Sequence, residues 1–117
     1  MLNPDALKPV TPAEEVPDYA AERKACVEQL KPLLKQEHTE LAQAALWLRM
    51  CELTEKEKGA DAFEIGAYLS SAIQQLRAPT LAHDAEFYAA CREAAPVFER
   101  FGRKEEAAEM KRYGALL

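Results

Sequence analysis

From Tyr19 onward, apolar residues return every three or four positions, and only short polar or Gly/Pro breaks separate the runs. That spacing is the signature of amphipathic helices. A first helix is expected to open at Asp18, a good cap directly after Pro17, and to run to about residue 36. Tyr19, Cys26, Val27, Leu30, Leu33 and Leu34 would share its buried face. Pro32 is expected to bend this helix or to open a new turn after a break near Lys31, because an interior proline removes a hydrogen bond and crowds the preceding turn. Thr39 is then placed to cap a second helix over 40–58. Its apolar set, Leu41, Ala44, Ala45, Leu46, Trp47, Leu48, Met50, Cys51 and Leu53, is too broad for one seam, so this helix should touch neighbours on two sides at the centre of the core.

Gly59 reads as the stop after the alternating charges of 55–58. Asp61 with Glu64 fits a capping box for a third helix over 61–77, where Gly66 would allow a neighbouring helix to come close. The break at Ala78, Pro79 and Thr80 precedes a fourth helix expected over 81–101, starting near Thr80 or Ala82 and kinked or divided by Pro96. Gly102 supplies a turn, and a last helix over 103–114 would turn Ala107, Ala108, Met110 and Tyr113 inward. The fold class is therefore all-α: about five antiparallel helices, in a compact bundle or a short array of helical hairpins. Residues 1–17 hold Pro4, Pro9, Pro12 and Pro17 and are expected to form an arm outside a single helical domain over 18–117. Thr11, Pro12 and Glu14 signal one short turn in it, and Leu2, Leu7, Val10 and Val16 are available to lie on the main body; an exposed binding tail is the alternative.

Composition narrows the function. A chain of 117 residues supports one hydrophobic core. A formal charge of −5 argues against a nucleic-acid partner, whose phosphates need a concentrated positive surface. The cluster Arg92, Arg100, Arg103, Lys104, Lys111 and Arg112 is interleaved with Glu93, Glu99, Glu105, Glu106 and Glu109 and reads as a solvated helix surface. No apolar run approaches the roughly 20 residues of a membrane span, and no secretory signal opens the chain, so a cytoplasmic protein is expected. Cys26, Cys51 and Cys91 are odd in number, widely spaced and without a Cys-x-x-Cys unit, which fits buried thiols in helix contacts.

The last two helices carry Ala94, Ala95, Phe98, Gly102 and Ala107 in an order that resembles the tetratricopeptide helix–turn–helix unit. The likeness covers about residues 88–117. Cys91, Pro96 and Lys111 depart from the family's pattern, and no closing proline follows. What the resemblance implies is stacked helix pairs with a groove for peptides or partner proteins.

No catalytic constellation accompanies the helices. His38 and His83 fall at helix boundaries without a zinc spacing, Glu-x-x-His is absent, Ser70 and Ser71 lie inside a helix, and there is no phosphate-binding glycine loop. The expectation is a non-enzyme without metal or cofactor: a small adaptor, chaperone-like protein or subunit holding a protein or peptide, or else a second copy of itself. A helical metal carrier or enzyme built on His38 or His83 and acidic residues is the remaining alternative. Trp47, Tyr68, Tyr88, Phe98, Phe101 and Tyr113 are the candidate partner-binding residues, as core if buried and as an interaction patch if gathered on an exposed face. Tyr113, near the end of the chain, is the one expected to be most exposed.

Overall fold

The computed structural model describes residues 17–117, and the expected proline-rich arm lies almost wholly outside them. Five helices follow one another: α1 (Tyr19–Leu33), α2 (Glu40–Lys58), α3 (Phe63–Leu76), α4 (Ala85–Arg100) and α5 (Lys104–Gly114). They form an all-α bundle of antiparallel neighbours. Helix α2 packs on α1 and on α3, α4 pairs with α5, and α2 also runs beside α4.

The broad apolar pattern of α2 resolves as a shared wall. Ala44 and Cys51 belong to the main core with α3, α4 and α5, while Met50 and Leu53 join Cys26 of α1 in a second, smaller core. Phe87, Cys91, Phe98 and Met110 are fully buried in the main core, with Ala94, Ala95 and Ala107 beside them. The small residues of the α4–α5 hairpin therefore lie where two helices need to meet closely.

Local signals held at some helix ends and gave way at others. Asp18 caps α1 through the amide of Ala21, at 3.0 Å. Gly59 ends α2 at φ +101°, a conformation that a Cβ would strain, and Gly102 turns the chain between α4 and α5. Thr39 precedes α2 without capping it. Its hydroxyl instead lies 2.9 Å from the carbonyl of Leu33 and accepts from the side-chain amide of Gln43, also at 2.9 Å. Buried Gln43 donates to Leu33 as well, so the turn between α1 and α2 is latched on the Leu33 carbonyl at the end of α1, which also accepts the amide of Gln36.

Asp61 does not cap α3: the helix begins at Phe63 behind Ala62, and Glu64 pairs with Lys58 across the turn instead of closing a capping box. The fourth helix starts at Ala85, four residues later than the sequence pattern predicts, because Asp84 captures the amide of Phe87 at 3.0 Å. Pro96 does not divide it. Pro96 and Arg92, one turn earlier, are both exposed, and the helix runs through the proline unbroken. Pro32 falls in the last turn of α1, which ends at Leu33, short of the expected residue 36.

Side chains tie the layers together. Arg23 meets Glu57 between α1 and α2 at 2.8 Å, and Arg77 meets Glu109 between α3 and α5 at 2.6 Å. Arg103 donates to the carbonyl of Gly66 at 3.0 Å and lies 3.2 Å from the Ser70 hydroxyl. The space that Gly66 leaves is thus met by an arginine side chain rather than by a helix backbone.

Candidate protein-binding groove

Helices α2 and α4 lie side by side without closing on each other. Leu41, Ala44, Ala45, Leu48, Arg49 and Glu52 of α2, at spacings of three and four, face Ala90, Glu93 and Val97 of α4 across a cleft of about 340 Å³. Leu76, from the end of α3, completes the lining. Toward the amino-terminal ends of both helices the cleft continues into a wider hollow of about 800 Å³, which shares Leu41, Ala90 and Glu93 with it and adds Ala89 and Glu86 of α4. The segments leading into the two helices, carrying His38 and Thr39 on one side and Thr80, Leu81, Ala82 and Asp84 on the other, form its mouth.

The depth comes from residue size. Alanine at 44, 45, 89 and 90 leaves the middle of the trough without bulk, while the larger Leu41, Leu48, Leu81 and Val97 are only half-buried. Both ends are tied. The Thr80 hydroxyl donates to Glu40 at 2.8 Å at the mouth, and Arg100 of α4 pairs with Glu55 of α2 at the far end. From Leu41 to Glu52 the α2 wall is about 17 Å long at 1.5 Å per residue, which matches about three turns of a helix or about five residues of an extended chain.

The charge on the rim is one-sided. Glu40, Glu52, Asp84, Glu86 and Glu93 line it, against Arg49 and His38. Arg49 is already engaged by Glu22 at 3.1 Å. None of the five carboxylates joins an ion pair among the described residues, whereas most acidic residues elsewhere on the bundle do. The carboxyl of Glu40 is held below its ordinary range by a hydrogen bond from its own backbone amide and a second from Thr80.

The aromatic residues singled out from the sequence are placed elsewhere. Trp47 stacks on Tyr68 with ring centroids 5.7 Å apart, where the two cores meet. Phe98 is fully buried, and Tyr88 and Phe101 are half-buried against the main core. Tyr113, expected to be the most exposed, is half-buried edge-on to Phe87 and His83. None of the six lines the groove. The residues that do line it are small aliphatics and carboxylates, and their signal in the sequence was the surplus apolar face of α2, Leu41-Ala44-Ala45-Leu48.

Among the described residues no group of three or more His, Cys, Asp or Glu side chains is arranged to hold a metal ion, and no helix is long and apolar enough to cross a membrane. His38 is exposed at φ +64° beside Glu37, and His83 lies flat on Phe87. All three cysteines are buried thiols; burial pushes Cys51 up to about 12 and Cys91 to about 11. No protein-family model matches the chain, and no curated protein or solved structure shows significant similarity to it.

Proposed function

We propose that the chain is a non-catalytic binding module, an adaptor or subunit, whose α2–α4 groove holds a segment of a partner protein. The observation that carries this reading is the apolar floor shared by α2 and α4, which no described element covers. Half-buried Leu41, Leu48 and Val97 have apolar surface still in contact with water, and covering it contributes about 25 cal/mol per Å² to binding. The partial likeness of α4 and α5 to a tetratricopeptide hairpin agrees with this use, since stacked hairpins bind peptides along such a trough. The same reading makes the protein cytoplasmic and independent of metal or cofactor.

The test is selection followed by mapping. A displayed library of random peptides of about twelve residues, enough for the three helical turns of the groove, is panned against the full chain, and selected peptides are titrated into isotope-labelled protein. Amide shifts centred on residues 41–52 and 86–97 are the expected result. Selected peptides that map to other surfaces, or a library that yields no binder, would overturn the proposal.

A further inference from the structure

We infer that the occupant of the groove is a basic amphipathic segment of another protein, with Lys or Arg against the acidic rim and apolar side chains on the alanine floor. The inference rests on the groove reading above and adds the chemistry of the ligand.

Charge complementarity carries it. Glu52, Glu93, Glu86, Asp84 and Glu40 follow one another along the trough from its far end to its mouth. Asp18, Glu37, Asp61 and Glu105 are the other described side-chain carboxylates without a Lys or Arg partner, and none of them lines the groove. Among the described residues, most acids elsewhere on the bundle are thus paired with Lys or Arg, while the five along this trough are not. Opposing contributions are smaller. The amino-terminal ends of α2 and α4 both open on the mouth, each equivalent to about half a positive charge, against the full charges of Glu40, Asp84 and Glu86 there. Arg49 is spoken for by Glu22.

The rim also discriminates between occupants. The chain's own residues 1–16 carry Asp5, Glu14 and Glu15 against Lys8, and so have the sign of the groove. A second copy meeting groove to groove would bring the two rims together, and like charges in juxtaposition count against such a dimer. An acidic or phosphorylated segment is repelled for the same reason. A segment with apolar residues at helical spacing and Lys or Arg flanking them satisfies floor and rim together.

The probe is a fluorescein-labelled amphipathic Leu/Lys peptide of about eleven residues, the length of helix that the α2 wall spans. A Leu/Glu peptide of identical pattern is its control, and binding to the full chain is read by anisotropy. The Leu/Lys probe should bind and the Leu/Glu probe should not. Reversing two exposed rim acids, Glu86→Lys with Glu93→Lys, should weaken binding about tenfold, since each replaces an attraction by a repulsion. Reversing Asp61→Lys with Glu105→Lys, which changes the net charge by the same amount away from the groove, should leave affinity within about twofold. Ala45→Trp, at an exposed α2 position, should abolish binding by filling the trough while circular dichroism confirms an unchanged helix content. Raising salt from about 50 to about 200 mM should weaken the complex, because exposed pairs are screened beyond about 10 Å.

Equal loss in both charge-reversed pairs, or binding that survives Ala45→Trp, would show adsorption to an acidic protein and overturn the proposal. Library peptides that are neutral or acidic yet map to 41–52 and 86–97 would sink the basic occupant and leave the groove standing; failure of both probes and library removes both. A sedimentation mass near twice 13.1 kDa with no peptide binding would make a second copy the occupant instead.

Discussion

Gly114 is the position where a single methyl group should do most damage for its size. It is buried at the last residue of α5, and a Cβ built there would stand 2.9 Å from Cα of Arg92, 3.0 Å from its Cβ and 3.2 Å from its amide nitrogen. These atoms belong to the backbone and stem of α4, so no rotamer change relieves the clash and the helices must move apart. Overpacking of this kind costs about 1–3 kcal/mol. The opposing gain from replacing a helical glycine by alanine is at most about 1 kcal/mol and is smaller at a helix end. Gly114→Ala should therefore destabilise the bundle by about 1–2 kcal/mol net, lowering Tm by roughly 5–15 °C for a domain of this size. Gly66→Ala supplies the matched control. Its Cβ would meet only the Nη2 atom of Arg103 at an ordinary 3.9 Å, inside α3, so the same substitution should stabilise by about 0.5–1 kcal/mol. Urea unfolding of both variants, with slopes equal to that of the parent, reads the two effects as opposite shifts in midpoint. Shifts of the same sign, or a Gly114→Ala protein as stable as the parent, would refute the close approach of α4 and α5.

Two further outcomes follow from local contacts. Asp84→Ala should cost about 1 kcal/mol by releasing the Phe87 amide, and Asp84→Asn should retain most of that stability because asparagine also caps. Asp61→Ala, at a position that reads as a cap in the sequence, should lie within about 0.5 kcal/mol of the parent in thermal unfolding; a loss as large as that of Asp84→Ala would contradict the observed start of α3. Cys51 concerns pH. Burial raises its thiol from an ordinary 9.0 to about 12, so the folded chain keeps the proton over a range in which the unfolded chain releases it. Stability should be indifferent to this group below pH 9 and decline as the pH rises from 9 toward 12. A Cys51→Ala comparison isolates that slope, and an identical decline in both proteins above pH 9 would contradict the burial.

The helical class and the helix count follow from periodicity, since a 3.6-residue repeat of Leu, Ala and Ile positions admits no other regular element at these lengths. Caps were less legible. Thr39, Asp61 and Asp84 all belong to residue types that cap helices, and only Asp84 does so, because the choice depends on where the preceding turn aims the backbone and which acceptor is nearer. At Thr39 the carbonyl of Leu33, at the end of α1, draws the hydroxyl away. At Asp61 the turn opened by Gly59 carries the helix start beyond reach. The proximity of Gly114 to Arg92 is a contact between sequence-distant elements and has no local signal at all.

The groove was half legible, and the missing half is instructive about apolar surplus. Residues 41–53 carry more apolar positions than one neighbour can cover, which predicts either burial on two sides or an uncovered face. Both occur, divided by residue. Ala44, Met50, Cys51 and Leu53 are buried, whereas Leu41 and Leu48 are half-covered and Ala45 is exposed. The division is set by α4, which reaches α2 through an Arg100–Glu55 pair at one end and a Thr80–Glu40 hydrogen bond from its leading segment at the other. Polar ties at the ends hold the helices beside each other, and alanines between them leave the trough unfilled. Phe87 and Phe98 are fully buried in the main core and Trp47 seals the boundary between the two cores, whereas Phe63, which opens α3, is exposed away from the groove. A search for large exposed aromatics therefore leads away from this groove, while a search for small residues opposed across two helices, with unneutralised carboxylates beside them, leads to it.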